Sequence, residues 1–173
     1  MTYIWIISLI FYRYSFFPMS PADLSPPYWI NMGAMAISTL AGTTLLAAAE
    51  ESAILSQLLP FIKGVTLLCW STATWWIPML LILGVWRHIV KRFRIVYDPQ
   101  YWGAVFPIGM YTVCTFRLSH AMDVEVLASI PRYFVYIAVA AWLLTFLAML
   151  RSWINALRQS QDPLLQNPRS QVT

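Results

Sequence analysis

Two long stretches of this chain carry no charge, and they decide what it can become. Residues 28–49 read YWINMGAMAISTLAGTTLLAAA and residues 64–86 read GVTLLCWSTATWWIPMLLILGVW. A helix rises about 1.5 Å per residue and the hydrocarbon layer is about 30 Å thick, so about 20 apolar residues cross it. Both stretches therefore predict membrane-spanning helices. The rest of the chain agrees, with 60% hydrophobic and 10% charged residues among 173 and a mean hydropathy of +0.63. A soluble domain carries roughly a quarter charged residues. Nine Trp, nine Tyr and nine Phe fit interfacial aromatic belts.

Three more stretches complete a five-span reading. Residues 101–121 (YWGAVFPIGMYTVCTFRLSHA) and 132–152 (RYFVYIAVAAWLLTFLAMLRS) are long enough to cross, and residues 1–17 (MTYIWIISLIFYRYSFF) read as the end of a span. That opening stretch has neither a basic n-region nor a small-residue cleavage site, which argues against a signal peptide. The charges sort by side under this reading. Arg13, Arg87, Lys91, Arg92, Arg94, Arg151, Arg158 and Arg169 fall on one side and Lys63, Arg117 and Arg132 on the other, eight against three of the eleven Lys and Arg. Basic residues collect on the cytoplasmic side, so the C-terminus is expected inside. The fold class expected is an all-α integral membrane protein built from helical hairpins. Membrane lipid is its surrounding partner, and residues 156–173 form a disordered cytoplasmic tail.

A formal net charge of +4, scattered along the chain, excludes a nucleic-acid surface. Cys69 and Cys114 lie inside apolar runs with no spacing for a metal site, and no cofactor is expected. His88 and His120, the two histidines, fall on opposite sides of the membrane, and every acidic residue maps to a loop or a span end. An enzyme is not expected.

The spans differ in kind. Residues 28–49 carry Asn31, Gly33, Ser38, Thr39, Gly42, Thr43 and Thr44, while the fourth span carries Gly103, Pro107, Gly109, Thr112, Thr115, Arg117 and His120. Small and hydroxyl residues let helices approach and bond one another, and they also suit a polar path. The second and fourth spans read as inner helices, and the bulkier third and fifth as outer ones. Pro107 removes a backbone hydrogen bond and predicts a bend, at which Phe106 stands. An aromatic ring at a bend can close a path by excluding water. Arg117 and His120, one turn apart near the outer end, make an attractive mouth for an anion, although Arg117 can equally pair with Asp123 or a headgroup.

The segment YWGAVFPIGMYT, with its Phe-Pro step opening a small-residue helix, resembles the tellurite-resistance/dicarboxylate transporter family. That family includes bacterial tellurite-resistance proteins, fungal malate permeases and plant slow anion channels. PADLSPPYWINMGAMAISTLAG and WSTATWWIPMLLILGVW are similar to it in the same order, as is the helix after IPRYF, so the likeness covers residues 1 to about 155. The resemblance implies a ten-helix bundle with five inner helices around a pore, typically assembled as a homotrimer with one pore per protomer. This chain corresponds to helices six to ten, with residues 28–49 the seventh and 102–120 the ninth. The family's gating phenylalanine carries over to Phe106, and its kink residues to Pro107 and Gly109. Gly33, Ser38, Gly42, Thr112, Arg117 and His120 are then the candidate pore-lining residues. The first five helices have no counterpart here, which leads us to expect a truncated or partial sequence. The function implied is passage of small anions, such as malate and other C4-dicarboxylates, chloride, nitrate or tellurite-like oxyanions. The alternative is a half-length subunit, or a structural or interaction protein, that needs another chain to complete a pore.

Overall fold

The computed structural model describes residues 2–18, 20, 24, 26–92 and 97–161, and these fold into five α-helices. They are α1 (Thr2–Phe16), α2 (Ile30–Ala47), α3 (Ala53–Val85), α4 (Trp102–Met122) and α5 (Glu125–Gln161). Among the described residues there are no strands.

Three of the helical stretches are both long and apolar enough to cross a membrane: Ile30–Ala47, Ala53–Val90 and Glu125–Arg158. The other two predicted spans take a different form. α1 is 15 residues long and apolar over Tyr3–Arg13. α4 has the length, at 21 residues, but Arg117, Ser119, His120 and its threonines lower its apolar content. A helix that packs on protein rather than lipid can carry such residues.

Two helices outrun their predicted spans. α3 starts at Ala53, not Gly64, and continues through Pro60 and Pro78 into a π-helical turn at Trp86–Val90. Its first two turns, AILSQLL, are led by three Leu with Ala53 and Gln57, good helix formers. They open at Ser52, whose extended backbone (φ −140°, ψ 120°) breaks from the preceding 3-10 turn Ala48–Glu51. Ser56 secures the junction by donating to the carbonyl of Ala49 at 2.7 Å. At the other end of the chain, α5 carries residues 156–161 in its last turns, where a disordered tail was expected to begin at 156. Its Asn-Ala-Leu-Arg-Gln run has no helix breaker before Pro163. The rest of the predicted tail, 162–173, lies outside the described residues, as do Arg94 and residues 19, 21–23 and 25 between α1 and α2.

Side-chain partners fix the arrangement. Trp76 Nε1 donates to the Tyr28 carbonyl at 3.1 Å, and Gly42 faces Thr66, so α2 and α3 run antiparallel. Trp70 Nε1 donates to Thr115 Oγ1 at 3.0 Å and Thr74 Oγ1 shares a hydrogen bond with Tyr111 Oη at 2.9 Å, so α3 and α4 are antiparallel as well. α2 and α4 consequently run parallel, and the 3-10 turns that open them, Pro26–Trp29 and Pro99–Tyr101, touch. The tight α4–α5 link turns on Asp123 in the left-handed region (φ 55°), with the Val124 N–H closing on the Ser119 carbonyl at 3.1 Å. Asp tolerates that conformation better than most residues. The main packing order across the bundle is α3, α2, α4, α5, with α1 set against α3 through an edge-on contact of Phe11 with Trp76 at 5.6 Å. Met32, Ala36, Ala73, Trp76, Tyr111 and Cys114 form the core where α2, α3 and α4 meet. Leu, Ile, Trp and Tyr cover the exposed faces of α3 and α5, the composition that lipid contact favours.

Candidate functional site on the open face of α4

Pro107 is buried, while Phe106 immediately before it is 56% exposed. The proline has no N–H to give the Gly103 carbonyl, which frees that acceptor and loosens the helix one turn in. Its ring rests on Gly33 of α2, so close that a Cβ added at Gly33 would stand 3.0 Å from Pro107 Cγ. Phe106 therefore leaves the helix on the side away from α2. It borders a hollow of about 420 Å³ between α4 and α5, together with Gly109, Val113, Ala138 and Trp142.

The residues seven, eleven and fourteen positions after Phe106 return to the same side of a 3.6-residue helix. These are Val113, Arg117 and His120, all exposed. One face of α4 thus carries an aromatic ring at its start and two basic side chains about 16 and 21 Å further along. Among the described residues Arg117 has no acidic partner, so the alternative in which it pairs with Asp123 is not formed. His120 sets its ring edge-on against Phe116 at 4.6 Å.

The remaining predicted site residues divide by burial. Gly109 lies in open space, since a Cβ there would meet nothing within 4 Å. Thr112 is half-buried and donates to the Ile108 carbonyl at 2.9 Å, and exposed Ser38 donates to the Ala34 carbonyl at 3.0 Å. Both hydroxyls are satisfied within their own helix and keep a lone pair outward. Gly33 and Gly42 lie at helix contacts. Both are buried on opposite sides of α2, Gly33 against Pro107 and Gly42 against Thr66, and they serve helix contact rather than an open surface. The reason is steric: without a Cβ, α2 comes close to both neighbours.

Sequence reasoning missed the polar ties Trp70–Thr115, Thr74–Tyr111 and Trp76–Tyr28 that hold α3 to its neighbours. The signal was present in WSTATWW, where threonine and tryptophan recur at one-turn spacing. Buried tryptophan and tyrosine seek a partner for their N–H or O–H.

Long apolar helices, a small-residue pair packed at the centre and lipid-suited outer faces define an all-α membrane protein. The sequence comparisons make the assignment specific. The voltage-dependent anion channel family model matches residues 1–150, and the chain belongs to that family. Membership supports, at a general level, a role in moving anions across a membrane rather than in covalent chemistry. An uncharacterized membrane protein of Mycobacterium tuberculosis is 38% identical over 149 residues, covering 86% of this chain and 75% of that protein. An uncharacterized transporter of Methanocaldococcus jannaschii is 22% identical over 145 residues, covering 84% of this chain and 41% of that protein. A second uncharacterized transporter of the same archaeon is 25% identical over 109 residues, 63% of this chain and 30% of that protein. No solved structure matches the chain.

Proposed function

We propose that this chain supplies part of a path for small anions, with Phe106 as the ring that closes it. The observation that carries this reading is the open face of α4: an exposed Phe106 beside a buried proline, followed on the same side by Arg117 and His120. The Arg117 charge draws anions toward the path and discourages cations, and His120 one turn on adds a hydrogen-bonding ring. Gly109 keeps room beside the ring, and Ser38 and Thr112 add hydroxyls from α2 and α4. The anions are small ones: C4-dicarboxylates such as malate, chloride, nitrate or tellurite-like oxyanions. The C-terminus lies in the cytoplasm, and the assembled protein is a homotrimer with one path per protomer.

The test is anion flux into proteoliposomes holding the purified chain, read with a chloride- or nitrate-sensitive dye. Phe106→Ala should raise flux by about tenfold or more, equivalent to about 1.4 kcal/mol of barrier. Flux that is unchanged by this substitution in an active preparation removes Phe106 as the gate.

A second reading is favoured by the same face seen differently. Ile37, Ser38, Thr44, Phe106 and Phe116 leave α2 and α4 exposed at the centre of the bundle. Under this reading the chain is a membrane subunit that mates these helices with another chain to complete a pore. The mass of the detergent-solubilised particle distinguishes the two: a second hydrophobic chain that co-purifies supports the subunit, and a whole multiple of 19.9 kDa supports self-association.

A further inference from the structure

A hollow of about 490 Å³ opens where the turn before α4 meets the second half of α5. Tyr97 and Tyr101 form one wall. Leu144, Thr145 and Ala148 form the other, and Arg151, Ser152 and Asn155 continue that wall along α5. The positions 144, 148, 151 and 155 recur at three- and four-residue steps, so they share one face of the helix. That face grades from apolar to polar over about three turns, with the polar end toward the helix C-terminus.

The polar end is made of donors. Arg151 offers five N–H groups, Asn155 an amide, and Ser152 and the two tyrosines a hydroxyl each. Among the described residues, Arg151 has no acidic partner and the side chains of Arg151, Ser152 and Asn155 make no hydrogen bond. The nearby carboxylate of Asp98 is turned into its own turn, where it accepts the Gln100 N–H at 2.8 Å. Arginine with amide and hydroxyl donors is the chemistry that grips a phosphate. Tyrosines favour the depth at which headgroups sit.

We propose that this hollow binds the phosphate headgroup of an anionic membrane lipid at Arg151, Ser152 and Asn155, with an acyl chain lying along Ala148 and Leu144. The apolar continuation of the hollow distinguishes a lipid from free phosphate, which would use the donors and leave the apolar wall unfilled. Anionic lipid is concentrated in the cytoplasmic leaflet, the side that the charge distribution gives this end of α5. The site depends on the chain lying in a membrane and is independent of the anion path and of Phe106.

The experiment is native mass spectrometry of the purified chain released from nanodiscs of phosphatidylcholine with about one-fifth phosphatidylglycerol. The wild type should retain one phosphatidylglycerol per chain. Arg151→Gln should lower that retained fraction about fivefold or more, Arg151→Lys should keep part of it, and Arg132→Gln at the far end of α5 should leave it unchanged. Thermal unfolding in phosphatidylcholine alone verifies that each variant is folded. Equal retention by wild type and Arg151→Gln would overturn the proposal. Displacement of the lipid by millimolar inorganic phosphate would overturn it too, in favour of a free-anion site.

Discussion

Gly42 and Gly109 lie in two packed regions of one bundle and look alike in the sequence, yet their surroundings are opposite. A side chain at Gly42 would run into Thr66, while one at Gly109 would meet nothing. The α2–α3 contact is a closed seam built on absent side chains. The first half of α4, two residues beyond the Phe106–Pro107 step, keeps its space empty. Smallness thus has two meanings in a membrane helix, close approach and unfilled room, and only the neighbouring helix tells them apart.

Substitutions that fill each space test the contrast directly. Gly42→Val should have the largest effect, because it forces branched carbon into the Thr66 side chain. A loss of about 2 kcal/mol or more is expected from overpacking, read as a lower unfolding midpoint in detergent. Gly33→Ala should cost less, about 1 kcal/mol, since its Cβ meets Pro107 Cγ at 3.0 Å and a small shift relieves it. Gly109→Ala reverses the sign. It should stabilise the chain by up to about 1 kcal/mol, because alanine is the better helix former and nothing obstructs its methyl group. It should also reduce anion flux modestly by narrowing the hollow beside Phe106. A destabilised Gly109→Ala would mean that the space is occupied in the assembled protein, and would erase the contrast.

Much of this fold was legible because lipid imposes a simple rule on sequence. The uncharged runs 28–49 and 64–86 locate α2 and the middle of α3, and the Pro107 step marks α4. The true ends of α3 and α5 were less legible. The uncharged runs mark only the middle of a helix, whereas α3 continues upstream through Ala53–Lys63 and α5 downstream through residues 156–161. The candidate site divides in the same way. Phe106, Arg117 and His120 stand out by residue type, and the structure shows them exposed along one face of α4. The packing roles of Gly33 and Gly42 do not stand out, since no pattern within α2 states which neighbour each glycine touches. The hollow at Tyr97 and Arg151 was hidden for a similar reason: its two walls are about fifty residues apart and neither is unusual alone.

α5 has 37 residues and so extends about 55 Å, against about 30 Å of hydrocarbon. An ordinary tilt of about 20° absorbs little of that excess. Its final turns, beyond the hollow at Arg151 and with Arg158 exposed, must therefore project into the aqueous phase as a stalk. Trypsin added outside sealed vesicles can reach that stalk on one side alone. Clipping at Arg158 reports the sidedness of the whole bundle without touching any buried contact, and protection of the stalk in right-side-out vesicles would place it in the cell interior.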